Sequence, residues 1–281
     1  AGGTLKKGRG LSATDIAKLQ AAGIASVVAA RIEPGDLTED VAAQRLAAAL
    51  GSENLTATAA FTGRCNLYAS AHGVLVLDRD RLDRINLVDE AVTVATLAPF
   101  DVVEPRQMVA TIKIIPYAVP AKVLDRCEAL AREGGPLLRV AAFQPKAAAL
   151  IQTATKATKP SVLDSTVAVT LTRMESLGGR LLGETRCDHK VEPLAAQIEA
   201  ALAKPIDLLL ISGASAITDR RDVIPAAIEA AGGRVEHFGM PVDPGNLLLV
   251  GSLGGRPVLG APGCARSPKE NGFDWVLQRL L

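Results

Sequence analysis

The sequence lacks any excess of one charge: 31 Lys and Arg stand against 30 Asp and Glu. No bulk field therefore points to a nucleic acid or an anionic membrane as partner, and any anion must be met locally. Cysteine is equally sparse. Cys65, Cys127, Cys187 and Cys264 are far apart and form no CxxC pair, which argues against a structural zinc and a disulfide framework and fits a reducing, cytoplasmic setting. No apolar run reaches the roughly 18 to 20 residues that span a bilayer, and the start lacks the layout of a signal peptide. G-x-S-x-G, H-E-x-x-H and Walker A patterns are missing, so hydrolase, zincin and P-loop chemistries have no support. Aromatics amount to one Trp, two Tyr and five Phe.

Apolar residues make up 48% and charged residues 22% of 281 positions, a composition that predicts a soluble globular protein long enough for two ordinary domains. The start at Ala1 and the end on the helical pattern DWVLQRLL suggest a piece of a longer chain. From Ser12, SATDIAKLQAAG reads as a helix with Ser12 as cap, Asp15 at the capping-box distance and Gly23 closing it. A strand is expected at 25–30, then a helix capped by Thr38 and ended by Gly51. The stretch 56–117 predicts a β-rich subdomain of short strands, with His72 on one of them. Helix 121–133 and the strand PLLRVAAF lead to Gln144-Pro145, the expected boundary between a mixed α/β domain, 1–144, and a second domain, 145–281.

The second half alternates strand and helix, which predicts a three-layer αβα unit with a mostly parallel sheet. AAALIQT forms a strand ending at Thr153. Leu163, Val167, Leu171, Met174 and Leu177 recur at helical spacing and form an amphipathic helix stopped by Gly178-Gly179. A strand over 180–185, a loop at 186–189 and a helix to about Ala203 follow. IDLLLIS, 206–212, is the strongest strand; others are expected at 234–238, with His237, and at 247–250 and 257–259. The last helix is expected from Ser267, with Trp275 packed on it.

Three loops could carry chemistry. Ser212-Gly213-Ala214-Ser215, between the strong strand and the helix after Asp222, lets backbone amides approach a phosphate, with Arg220 and Arg221 as fixed charge and Asp222 as helix cap or Mg²⁺ ligand. The same residues equally describe a tight turn with a solvated Arg pair. Ala261-Pro262-Gly263-Cys264 precedes Ser267-Pro268-x-Glu270, a capping-box helix start that becomes more informative beside the first loop. Asp188 stands between strand and helix, flanked by Cys187 and His189. It is either a cap or a site carboxylate, and no further His or Cys at ligand spacing supports chelation by Cys187 and His189.

These loops, in this order, resemble the molybdopterin-binding family of molybdenum-cofactor biosynthesis, the molybdopterin molybdotransferases and adenylyltransferases. Thr153 stands at the family's first loop, Asp188 at its first aspartate, Ser212-Gly213-Ala214-Ser215 at its glycine-rich loop and Asp222 at its second aspartate. Pro244-Gly245 resembles the Pro-Gly of the molybdotransferase branch, and Ala261-Pro262-Gly263-Cys264 the late Leu-Pro-Gly-Asn. LKKGRGLSATDIAKLQAAGI and IKIIPYAVP also resemble that branch. Thr153 lacks a following Gly-Asp-Glu, Ala214 replaces a glycine and Cys264 an asparagine. The resemblance implies binding of molybdopterin or its adenylylated form, with Thr153, Ser212, Gly213, Ala214, Ser215, Arg220, Pro244, Gly245, Pro262, Gly263 and Ser267 as contacts. It implies Asp188 and Asp222 as the catalytic and Mg²⁺-binding pair. Three activities are open: molybdenum insertion from molybdate with Mg²⁺, a carrier module for a nucleotidyltransferase, and a nucleotide-processing relative of the competence-damage type. A homodimer and a molybdoenzyme or nucleotidyltransferase partner are expected, and neither nucleic acid nor membrane.

Overall fold

The structure, a computed structural model, describes Leu5 and residues 8–281. Lys6 and Lys7 of the amino-terminal phrase lie outside these. The chain divides into two compact units, one running to Ala142 and the other Phe143–Leu281. Among the described residues no helix is long and apolar enough to cross a membrane.

The first unit opens with α1 (Ala13–Ala21), whose start is the expected capping box of Ser12 and Asp15. Arg9 adds a double hydrogen bond to the Asp15 carboxylate. The strand expected at 25–30 is not formed, and Val27 and Val28 lie exposed there. Strand propensity expresses fit to neighbouring strands, and no strand pairs with this segment. β1 (Asp36–Thr38) runs into α2 (Glu39–Leu50), which buries Ala42, Ala43, Leu46, Ala47 and Leu50. Thr38 precedes this helix, but its side chain makes no capping bond.

Then come β2 (Leu55–Ala57), β3 (Arg64–Ala69), β4 (Gly73–Leu77), α3 (Arg79–Asn86), β5 (Val92–Thr96), β6 (Val102–Val103), β7 (Met108–Ile114), β8 (Ala118–Pro120), α4 (Ala121–Arg132) and β9 (Leu138–Ala142). They build sheets of order β2-β3-β7-β5 and β6-β4-β9 and the pair β1-β8. The stretch expected to hold only short strands thus contains a helix, α3; Asp78 starts it by accepting from the Arg81 amide. His72 lies in the bend before β4 rather than on a strand, 3.4 Å from Glu104.

The second unit contains β10 (Ala147–Ala154), α5 (Pro160–Ser176), β11 (Arg180–Asp188), α6 (Val191–Leu202), β12 (Leu208–Ser212), α7 (Val223–Ala230), β13 (Arg234–Phe238), β14 (Leu249–Leu253) and β15 (Arg256–Ala261). A 3₁₀ turn, Gly263–Arg266, and α8 (Gly272–Leu280) complete it. One six-stranded sheet has the order β11-β10-β12-β15-β14-β13. β11, β10, β12 and β15 are mutually parallel, whereas β14 runs antiparallel to both neighbours, so the sheet is mixed.

β10 and β12 read as unbroken apolar runs because both their faces are covered. Ala149, Ile151, Leu209 and Ile211 pack with Leu194 and Ile198 of α6 and Ile224 and Ile228 of α7. Ala148, Leu150, Leu208 and Leu210 pack on the opposite face with Met174 and Leu177, at the end of α5, and with Phe273 and Leu277 of α8. α5 buries Leu163 and Met174 as expected, but Leu171 is 37% exposed while Thr166 and Thr170 are buried. Their hydroxyls donate to the carbonyls four residues earlier, which lets a polar side chain enter the apolar face. β11 forms one edge of the sheet, and none of its nine residues is fully buried.

The last helix does not begin at Ser267. Asn271 and Asp274 form the capping box instead, and the Ser267 hydroxyl only accepts from the Lys269 amide. The cause is Arg173 of α5, whose guanidinium donates to the carbonyls of Ala265, Ser267 and Lys269 and pairs with Asp274 at 2.5 Å. Carbonyls turned toward one cation cannot serve a helix starting among them. Trp275 is 39% exposed rather than packed, its indole N–H donating to Glu270.

Candidate functional site

In register, Ala154 of β10 lies beside Asp188 of β11, Gln152 beside Ser212 of β12, and Ser212 beside Ala261 of β15. The carboxyl ends of four parallel strands therefore meet along one edge, where open α/β sheets bind ligands. Helices α5, α6 and α7 each follow one of these strands and begin on that edge, bringing amides without helical acceptors with them.

His189 knits three of the loops together. Its Nδ1 lies 2.8 Å from the Thr153 hydroxyl at the end of β10, and its Nε2 lies 3.0 Å from the Ser215 hydroxyl after β12. Thr153 is fully buried, and its Oγ1 also accepts the Ala214 amide at 2.9 Å. With that lone pair in use, the Thr153 hydrogen has His189 Nδ1 as its one acceptor among the described residues. Because a buried hydroxyl hydrogen left without an acceptor is costly, the favoured tautomer has Thr153 donating to Nδ1, a neutral ring, and Nε2–H donating to Ser215 Oγ. Ser215, exposed, keeps its own hydrogen for an incoming acceptor. Burial lowers the His189 pKa from its usual range, opposed by the nearby Asp222 carboxylate, which agrees with a neutral ring.

Such a relay presents a hydrogen-bond donor rather than an activated nucleophile. The Ser215, Ala216 and Ile217 amides of the same loop have no acceptor among the described residues. Gly213 makes the turn possible, since a Cβ there would fall 2.7 Å from the Ser215 carbonyl and 2.8 Å from Ile224. Its carbonyl accepts from Arg266 of the 3₁₀ turn at 2.5 Å.

Thr153, Gly213, Ala214 and Ser215 are thus brought together, with Ser212 buried at the end of β12 beneath them. Arg220 donates to the Val235 carbonyl in β13, three positions from β12 in the sheet. Pro244 and Gly245 lie against the start of α8: the Pro244 carbonyl accepts the Gly272 amide, and a Cβ on Gly245, at φ +124°, would fall 2.7 Å from the Gly272 backbone. Pro262 is buried and Gly263 exposed at the 3₁₀ turn, and Ser267 gives its carbonyl to Arg173.

Asp222 caps its own loop. One carboxylate oxygen accepts from the Thr218 amide and hydroxyl and the Asp219 amide, and these bonds lower its pKa. Asp188 is exposed, its carboxylate without a hydrogen bond or ion pair among the described residues. Among those residues no three His, Cys, Asp or Glu side chains gather as a metal site, so Asp188 and Asp222 do not by themselves fit a Mg²⁺ centre. Chelation by Cys187 and His189 fares no better: burial raises the Cys187 thiol pKa, and both His189 nitrogens are engaged.

Two residues of the edge stand outside the predicted contacts. His189 is weighed from sequence only as a metal ligand beside Cys187, although a His directly after a strand at the carboxyl edge is a signal for a loop bridge. Arg266 sits inside the late loop, where Pro262-Gly263 draws attention away from it.

No protein-family model matches the chain, and no curated protein matches it in sequence. Among solved structures it is similar to a molybdopterin biosynthesis MoeA protein from Pyrococcus horikosii, at 16% identity over 89% of this chain and 76% of that one, with a TM-score of 0.37. It is also similar to a molybdenum cofactor biosynthesis protein B, at 14% identity over 50% and 96%, TM-score 0.37. The protein CinA from Thermoplasma acidophilum, described as of unknown function, aligns at 15% identity over 43% and 90%, TM-score 0.35. The likeness is partial and at low identity.

Proposed function

We propose that residues 143–281 bind molybdopterin, free or adenylylated, by its phosphate at the carboxyl edge of the sheet, as a step in molybdenum-cofactor maturation. The observation that carries the reading is the donor relay from Thr153 through His189 to Ser215. It sets a hydroxyl hydrogen and unpaired loop amides around the glycine-rich turn that resembles the family's phosphate loop. A fixed set of donors favours an oxyanion over water because the donors need no reorganisation. The pterin ring would lie outward from this anchor.

A second reading, molybdenum insertion with turnover, is favoured by Asp188, an exposed and unpaired carboxylate at the end of β11 beside the anchor. Its metal would come with the ligand's own phosphates, since this chain offers no complete ligand set. Incubation with adenylylated molybdopterin, molybdate and Mg²⁺, following retained pterin and released AMP, separates the readings. Retention of pterin is the expected result. AMP release lost in Asp188→Asn would establish turnover, retention without AMP would reduce the protein to a carrier, and no retention would refute both readings.

A further inference from the structure

We propose that Arg266 is the counter-charge of this edge and that, with Ser215, it binds a tetrahedral oxyanion, either the phosphate ester of the ligand or free molybdate. The proposal deepens the binding reading above and rests on its anchor. Arg266 is the last residue of the 3₁₀ turn, and its Nη2 donates to the Gly213 carbonyl at 2.5 Å, two residues before Ser215. No carboxylate lies within ion-pair distance of it among the described residues, whereas Arg173, Arg186 and Arg221 of the same unit are each paired with one. Its Nε is enclosed without an acceptor, and its Nη1 makes no hydrogen bond among the described residues.

A guanidinium resting on a backbone carbonyl keeps its full charge and most of its donors, which is an incomplete bonding state for the residue best suited to grip an oxyanion with two parallel donors. Its place is fixed from behind. Arg173 holds the carbonyls of Ala265, Ser267 and Lys269 on either side of it, so Arg266 is presented on a clamped loop. The Ser215 hydroxyl and the amides of Ser215 to Ile217 then complete a donor set contributed by two loops, which an anion of tetrahedral shape can bridge.

Calorimetric titration of the full chain with inorganic phosphate, and separately with molybdate, tests this. Binding of at least one anion is expected, weakened about tenfold or more in Arg266→Gln and unchanged in Arg256→Gln, whose side chain is held on the Leu202 carbonyl away from the edge. Which anion binds tells the two sources apart. Phosphate should also protect Arg266 of the unaltered chain from phenylglyoxal, read by peptide mass, or molybdate should if that is the anion bound; this needs no variant to fold. Absence of binding by both anions, equal binding by Arg266→Gln, or equal modification of Arg266 with and without the bound anion would each overturn the proposal. Pterin retention measured in parallel keeps the two readings separate. Pterin bound equally by Arg266→Gln leaves the function standing without this residue, and anion binding through Arg266 without pterin retention leaves the residue standing without that function.

Discussion

At the scale of single residues, His189 converts a buried threonine into an exposed donor. Its neutral state is favoured in the folded chain, because burial lowers its pKa below the usual 6.5 and outweighs Asp222. The unfolded chain therefore binds more protons in this window. The sign follows: the stability from neutral His189 is complete above the unfolded value and is lost as pH falls toward the lowered folded value. Denaturant titrations from pH about 7 down to about 5 should show the native chain losing stability more steeply than His189→Gln, which has nothing to titrate there. Parallel slopes would mean that the ring is not held neutral.

At the scale of elements, the α5 to α8 junction depends on Arg173, which joins a helix to a loop and a helix start through one guanidinium. Arg173→Met strands the Asp274 carboxylate and removes the donor to three carbonyls, with an expected cost of about 3–5 kcal/mol for a broken, largely buried pair. Urea unfolding of the full chain, read in the second unit, gives the value, and a loss under ~1 kcal/mol would show a solvated contact. The same residue explains what sequence could not show. α4 and the buried strands β10 and β12 are legible from periodicity and unbroken apolar runs, because local pattern and tertiary burial agree there; α5 is legible as a helix, but Thr166 and Thr170 rather than Leu171 complete its buried face. Ser267-Pro268-x-Glu270 has every local sign of a helix start, yet a side chain about a hundred positions away commits those carbonyls elsewhere. α3 fails the other way: its charged surface hides its buried Leu82 and Ile85. Of the site, the loops are readable from small residues after strong strands, while the His189 bridge is not, since nothing local pairs it with Thr153 and Ser215.

At the scale of the molecule, each unit has apolar clusters of its own. One spans Ala42 to Val140, and the other two lie wholly within the second unit, on opposite faces of its sheet. A chain of residues 143–281 alone therefore retains its complete core and is expected to unfold in one cooperative transition, with slow amide exchange in β10 and β12. Circular dichroism melting and hydrogen exchange of that fragment check this. A broad, non-cooperative melt would show that the second unit needs the first.

β11 closes the sheet on one side, half-wet, with no further strand paired to it among the described residues. A row of unpaired backbone groups is a template for runaway association, and proteins blunt such rows with charge and irregularity. Here Arg180, Glu184, Arg186 and Asp188 are spaced along the strand, and the pairing slips between Ala148 and Ala149 of its neighbour. Another chain docking there would have to strip water from both signs of charge and follow a broken ladder. The border on which Asp188 lies thus carries the charge and irregularity that oppose strand-on-strand association.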